Sequence, residues 1–134
     1  MDNIDKQIMD LLAKDSRMHN QEIANKLNVT EGTIRHRIRR LVEEGIIEGF
    51  TIKCKSTATS LILIKLDPGT RTAEFVKTLK KIDNISNIYH VTGEDSIICH
   101  VDTENTDHLD SIVETIRTHP GVLSTKTISV LKRY

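Results

Sequence analysis

The stretch that most constrains this chain lies between residues 20 and 45, where two helical periodicities are separated by a very short break. Ile23, Ala24 and Leu27 share one face of a short helix that Asn20 can cap. Asn28-Val29 ends it, since Asn tolerates the left-handed backbone a tight turn needs. Thr30 then caps a longer helix with Ile34, Ile38, Leu41 and Val42 on one side, and Gly45 reads as its C-terminal stop. Ile23 and Leu27 must pack on Ile34 and Ile38 to hold the two helices at a fixed angle, and the small Ala24 lets them approach. A preceding helix with Ile4, Ile8, Leu11 and Leu12 inward starts at Asp2 or Asn3 and ends near Lys14. Residues 46–53 read as β-like. A short helix, a tight turn and a longer basic helix form a helix-turn-helix, whose last helix is built to enter a DNA major groove.

Formal net charge is zero, so the chain as a whole carries no sign of a polyanionic partner. Its distribution says more. Arg35, Arg37, Arg39 and Arg40 fall together with no acid among them, whereas Asp2, Asp5, Asp10 and Asp15 make the first helix acidic. Phosphates feel only nearby charges through ~10 Å of screening, so a local basic face suffices. At about 100° per residue, His36 lies about 200° from Ile34, opposite the apolar seam. Gly32, Thr33, Arg39 and Arg40 flank it, and Arg35 and Arg37 sit on the two sides. Arginine can take guanine bidentately, small residues admit the backbone to the groove, and free amides around Thr30 to Thr33 can hold a phosphate. A charge run alone is usually a solvated helix face; its place on the second helix of a helix-turn-helix favours DNA. The expected DNA-binding residues are therefore Thr30, Gly32, Thr33, Arg35, His36, Arg37, Arg39 and Arg40.

The second half alternates strands and helices. Residues 61–66, 85–91, 95–101 and 122–131 read as strands, and residues 72–82 and 106–119 as helices with Phe75, Val76, Leu79, Ile82 and Leu109, Ile112, Val113, Ile116 inward. Pro68-Gly69, Thr92-Gly93-Glu94 and Pro120-Gly121 are the turns. The fold class is thus α+β: an N-terminal helix-turn-helix, winged-helix-like domain over 1–52, a linker over 53–60, and a βαββαβ ferredoxin-like domain over 61–134. Such sheets serve enzymes, carriers and dimerisation modules alike. Here 60–66 is too apolar at alternate positions to leave its outer face in water, which implies a second copy on that face and a two-fold homodimer.

Hydrophobic residues make up 37% and charged residues 28%, ordinary for a folded chain, and no apolar run approaches the ~20 residues that span a bilayer. The N-terminus has neither a basic start nor an apolar core, so a cytoplasmic location follows by default. Cys54 and Cys99 form no CxxC pair and read as free thiols, Cys99 buried. Six histidines fit no metal signature, although His90 and His100 fall on neighbouring strands and could lie close, as a structural pair. No GxSxG, phosphate loop or triad is visible, so no cofactor and no enzymatic site is expected. Trp is absent, which argues against stacking on single strands.

Ile4-Asp5 through Leu12, Glu22-Ile23-Ala24, Thr33-Ile34 with Arg37-Ile38 and Arg40-Leu41, Glu44-Gly45-Ile46-Ile47 and Gly49-Phe50-Thr51 together resemble the Lrp/AsnC family of prokaryotic transcription regulators. The resemblance covers nearly the whole chain and is most specific over 22–50. It implies double-stranded DNA and a small amino-acid effector as partners, and C-terminal domains that dimerise and often build higher assemblies, to octamers. It also implies that Val91-Thr92-Gly93-Glu94-Asp95 is similar to the family's Thr-Gly-x-x-Asp effector turn, with one residue fewer, so the acidic role is open between Glu94 and Asp95. Gly admits a ligand to the backbone, Thr offers a hydroxyl and a carboxylate can hold an α-ammonium. Thr92, Gly93, Glu94, Asp95 and Ser96 are the expected effector residues, and two adjacent acids suggest lysine or arginine. Two other classes stay open: an enzyme like the haem-biosynthetic decarboxylases that resemble this fold, against which the basic helix argues, and a ligand-sensing dimerisation module that does not bind DNA.

Overall fold

The computed structural model describes residues 1–52 and 58–132 and divides into two compact units, Met1–Cys54 and Lys55–Tyr134. The first holds α1 (Asn3–Lys14), α2 (Asn20–Leu27) and α3 (Glu31–Glu43). Asp2 caps α1 reciprocally: its Oδ1 accepts from Asp5 N at 3.0 Å, and Asp5 Oδ2 accepts from Asp2 N at 2.8 Å. Asn20 is already helical; His19 holds the cap position of α2 without a side-chain bond, one residue from the expected start. Asn28 is left-handed (φ 53°) and Thr30 Oγ1 accepts from Thr33 N at 3.2 Å, so the turn between α2 and α3 forms as its residues require. Gly45 follows α3 at φ +68°, the conformation that favours glycine.

Ile8, Leu12, Ile23, Ala24 and Ile34 make the core of this unit, with Ile4, Leu27, Ile38 and Ile47 packed around it. Ile23 and Ile34 are fully buried, as the helix-turn-helix packing demands. The β-like reading of 46–52 is corrected: these residues form a bend and irregular backbone, held by Ile46 and Ile47 N–H donating to Leu41 O and by Ser16 Oγ donating to Thr51 O. An extended segment becomes a strand only beside a partner, and among the described residues none pairs with it. Lys53, the last residue of that expected strand, lies outside the described residues.

The second unit runs β1 (Ala58–Leu66), α4 (Thr72–Leu79), β2 (Ile85–His90), β3 (Ile97–Thr103), α5 (Thr106–Arg117) and β4 (Val122–Ser129). Its sheet is antiparallel throughout, in the order β2-β3-β1-β4, which is the split βαβ arrangement. β1 begins at Ala58, earlier than expected, so 58–60 is sheet rather than linker: Ser60 pairs with both Val101 and Ser129 and is buried. β3 likewise starts at Ile97 and runs on to Thr103, because Ala58 and Thr59 give it partners there. Residues 80–82, expected in the helix, follow α4 as a turn that ends at the left-handed Asn84.

One sheet face carries Ile62, Ile64, Leu66, Ile97, Cys99 and Val101 and is covered by Phe75 and Leu79 of α4 and Ile112 and Ile116 of α5. Burial holds the Cys99 thiol up at about 12, so it stays protonated and inert. The register puts Leu61, Leu63, Ile98, Tyr89 and Ile128 together on the opposite face. Tyr89 and Ile128 are half exposed there, an apolar surface that no described residue of this unit covers. His90 stands opposite Ile97 and His100 opposite Asn87, so the two histidines do not form the cross-strand pair their strands suggested. Among the described residues no group of three His, Cys, Asp or Glu side chains is placed to hold a metal, and no helix is long and apolar enough to cross a membrane.

Candidate functional site

The four arginines of α3 have three different environments. Arg35 is gripped by Glu31 one turn earlier, with Nη2 2.7 Å from both carboxylate oxygens, and remains exposed. Arg39 is exposed, as are Gly32 and His36. Arg37 and Arg40, also expected on the DNA face, reach toward α1. Arg37 Nη1 donates to Asp2 Oδ2 at 2.6 Å and Asp5 Oδ1 at 2.8 Å, and Arg40 Nη2 donates to Asp5 Oδ2 at 2.6 Å. Thr30 and Thr33 hydroxyls share a hydrogen bond at 2.8 Å at the helix start, where the free amides lie.

Asp5 is the residue that sequence reasoning missed. It lies at i, i+3 and i+7 with Ile8 and Leu12, on the buried face of α1, and it is fully buried. A carboxylate there is tolerable only with its lone pairs filled, and three donors fill them: Asp2 N, Arg37 and Arg40. The Asp2 amide, followed by the Arg37 and Arg40 guanidiniums, overrides burial and holds the Asp5 carboxyl at about 2. The Asp5 amide and Arg37 hold Asp2 low as well, and the two acids raise Arg37 in return. Counting Asp5 with the apolar stripe of its helix, rather than with the surface acids, would have found it.

On the outward arc of α3, Arg35, Arg39, Gly32 and His36 are exposed and form a continuous strip with two cationic side chains and one position without a side chain. It offers bidentate donors and close backbone approach, which is what base edges in a major groove require.

A second site lies at the turn joining β2 to β3. Gly93 takes φ +126°, which a side chain would strain, and Val91 N donates to Ser96 O at 3.0 Å to close the loop. Ser96 anchors it to β1: its N donates to Ile64 O and its Oγ accepts from Leu66 N. The loop borders a cavity of about 270 Å³, whose walls include Asp67, Thr70, His90, Thr92, Asp95 and Ser96, with Gly93 also at its edge. Asp95 is turned in, with 15% of its side chain exposed, whereas Glu94 is 75% exposed and does not border the cavity. Lys126 Nζ lies 3.8 Å from a carboxylate oxygen of each. Gly121 packs behind Thr70, where a Cβ would come within 2.4 Å of the Thr70 hydroxyl. His90 directly precedes the turn, whereas Asp67 and Thr70 come from the segment after β1 and Lys126 from β4, and no local pattern announces those three.

The family description Lrp/AsnC ligand binding domain matches residues 59–134, and winged helix-turn-helix DNA-binding matches residues 1–48. The chain is 34% identical to the HTH-type transcriptional regulator FL11 of Pyrococcus abyssi, over all of this chain and 91% of that protein. It is 31% identical to the HTH-type transcriptional regulator LysM of Sulfurisphaera tokodaii, over 98% and 96% respectively. Among solved structures, Escherichia coli AsnC superposes with a TM-score of 0.81 at 27% identity, covering 99% of this chain and 93% of its own. These relatives are transcription regulators rather than enzymes, which removes the decarboxylase alternative. The chain belongs to the Lrp/AsnC family: it is a DNA-binding transcription regulator with a ligand-binding domain.

Proposed function

We propose that this regulator reads DNA through Arg35, Arg39, Gly32 and His36 of α3, answers to a basic amino acid at the β2–β3 turn, and works as a homodimer or a higher assembly such as an octamer. The observation that carries the reading is the division among the arginines: with Arg37 and Arg40 drawn toward α1, the strip opposite the Ile34–Leu41 seam is the part of α3 left to meet bases. Amides at Glu31 and Gly32, ahead of the capped Thr33 amide, take a phosphate at the edge of the groove. Arg39→Ala is expected to cost ~1–3 kcal/mol and to relax specificity at one base position. A gel shift with genomic fragments, followed by selection from a randomised operator, checks this; unchanged affinity and an unchanged selected motif would remove Arg39 from the reading set.

For the effector, Asp95 takes the α-ammonium, Thr92 Oγ1 and turn amides take the carboxylate, and Asp67, which also lines the cavity, favours a second positive charge. Lysine and arginine are the preferred ligands. Lys126 already lies beside the two turn acids, so the support for a basic ligand comes from Asp67 rather than from spare acid in the turn. Calorimetry with the twenty amino acids is expected to show binding to the wild type, lost in Asp95→Ala and retained in Glu94→Ala. Binding retained in both would move the site elsewhere, and no binding by any amino acid would end the sensor reading. The ligand can regulate only if it binds one assembly or DNA-bound state more tightly than another.

A further inference from the structure

Arg37 and Arg40 meet the same buried carboxylate in different ways. Arg37 gives one nitrogen, Nη1, to both Asp2 and Asp5, and only 20% of its side chain is exposed. Arg40 gives Nη2 to Asp5 Oδ2, keeps its Nε buried 3.9 Å from Glu44 Oε1, and is 39% exposed. A guanidinium carries five donors in a rigid plane, so one edge can be fixed by a carboxylate while another stays in water. Arg40 also stands one turn beyond His36, at the border of the outward strip, where a helix in a groove meets the flanking backbone.

We propose that Asp5 is a positioning residue for DNA binding: it holds Arg40 by one edge and presents the other to a backbone phosphate, while Arg37 serves the interior. The proposal rests on reading α3 as the DNA-contacting helix. Holding the side chain beforehand spares the rotamer entropy that a free arginine loses on binding. Asp2, Asp5, Arg37 and Arg40 balance in charge, so what the cluster adds is geometry more than net field.

Geometry and charge make opposite forecasts. Were Asp5 only a nearby negative charge, Asp5→Asn would tighten DNA binding by removing repulsion. As a positioning residue, its replacement weakens binding roughly tenfold and lowers the slope of log affinity against log salt by about one, for all sequences alike. Arg40→Lys keeps the charge and the partner for Asp5, but one ammonium cannot serve carboxylate and phosphate as a fork does. It should lose affinity by a similar factor, and the double variant should lose no more than Arg40→Lys alone. Arg37→Lys should bind within about twofold of wild type.

The test is titration of the full chain with a long random-sequence duplex across a salt series, with circular dichroism to verify folding. Should Asp5→Asn fail to fold, the contrast between Arg40→Lys and Arg37→Lys decides. Equal losses in those two, or no loss in Arg40→Lys, would overturn the proposal while leaving α3 as the DNA helix. Absence of binding by the wild type would remove that reading and the proposal with it.

Discussion

Asp5→Ala is expected to melt the N-terminal domain at least ~10 °C below wild type, a large effect for one helix residue. The substitution strands Arg37 against α1 with one carboxylate instead of two, and takes from Arg40 its 2.6 Å partner. It also removes the acceptor for Asp2 N, so the start of α1 loses half of its reciprocal cap. The core that must absorb this is small, with Ile8, Leu12, Ile23, Ala24 and Ile34 at its centre. Asp5→Leu should recover little, since the arginines would then face an apolar side chain. Both tyrosines, Tyr89 and Tyr134, lie in the C-terminal half, so their signal should hold while the amide resonances of residues 1–52 collapse. Unchanged melting in either variant would show that the network contributes nothing to stability.

The same carboxyl sets a pH dependence of definite sign. Its folded value is about 2 against an ordinary 3.8, so its contribution is fully present above the unfolded value. That contribution is lost as pH falls from about 4 through about 2, where Asp2, also held low, adds to the loss. Acid titration of the wild type should therefore erode the N-terminal domain in that window, and Asp5→Asn should show a shallower slope there.

With the open sheet face as the interface of the proposed homodimer, Ile98→Glu combined with Leu61→Glu is expected to leave monomer, weakening self-association by on the order of 10³-fold or more. Both positions sit on the open sheet face with Leu63, Tyr89 and Ile128, and in a two-fold interface every substitution appears twice. A stable dimer buries ~800 Å² per partner with an apolar centre, and a four-stranded sheet face is the right size and character. Burying four unpaired carboxylates against that face is incompatible with closure. The variant chain itself should fold, because neither side chain belongs to the core on the helical side of the sheet. DNA binding should weaken sharply, since paired recognition helices read half-sites one turn, ~34 Å, or a multiple apart. Sedimentation at micromolar concentration is the measurement. A wild-type monomer, or a variant that remains dimeric, would exclude this face as the interface.

Much of the architecture is carried by patterns that act over a few residues. Asp2, Thr30, Asn28 and Gly45 announced the limits of α1, α2 and α3 because capping and left-handed turns depend on local backbone chemistry. The period-two runs of β1 and β3 and the helical faces of α4 and α5 announced the sheet and its covered side. Strand limits were less legible, since Ala58 and Thr103 are strand only because each is the other's partner. The Gly93 turn was visible as a turn, but the cavity beside it needs Asp67 and Thr70 from a distant segment.

The division of labour in α3 could not be read from α3. Helical phase places four arginines around a cylinder but cannot say which side another helix will occupy. Asp5 decided that. Its position on the apolar stripe of α1 was already written at i, i+3 and i+7, but its meaning depended on which residues would face it once α1 packed on α3. By itself the sequence determined that a basic helix would be presented by a helix-turn-helix. Only the tertiary structure decided which arginines stay outside and which satisfy a buried carboxylate, because a charge removed from water must find its opposite among whatever the packing brings near.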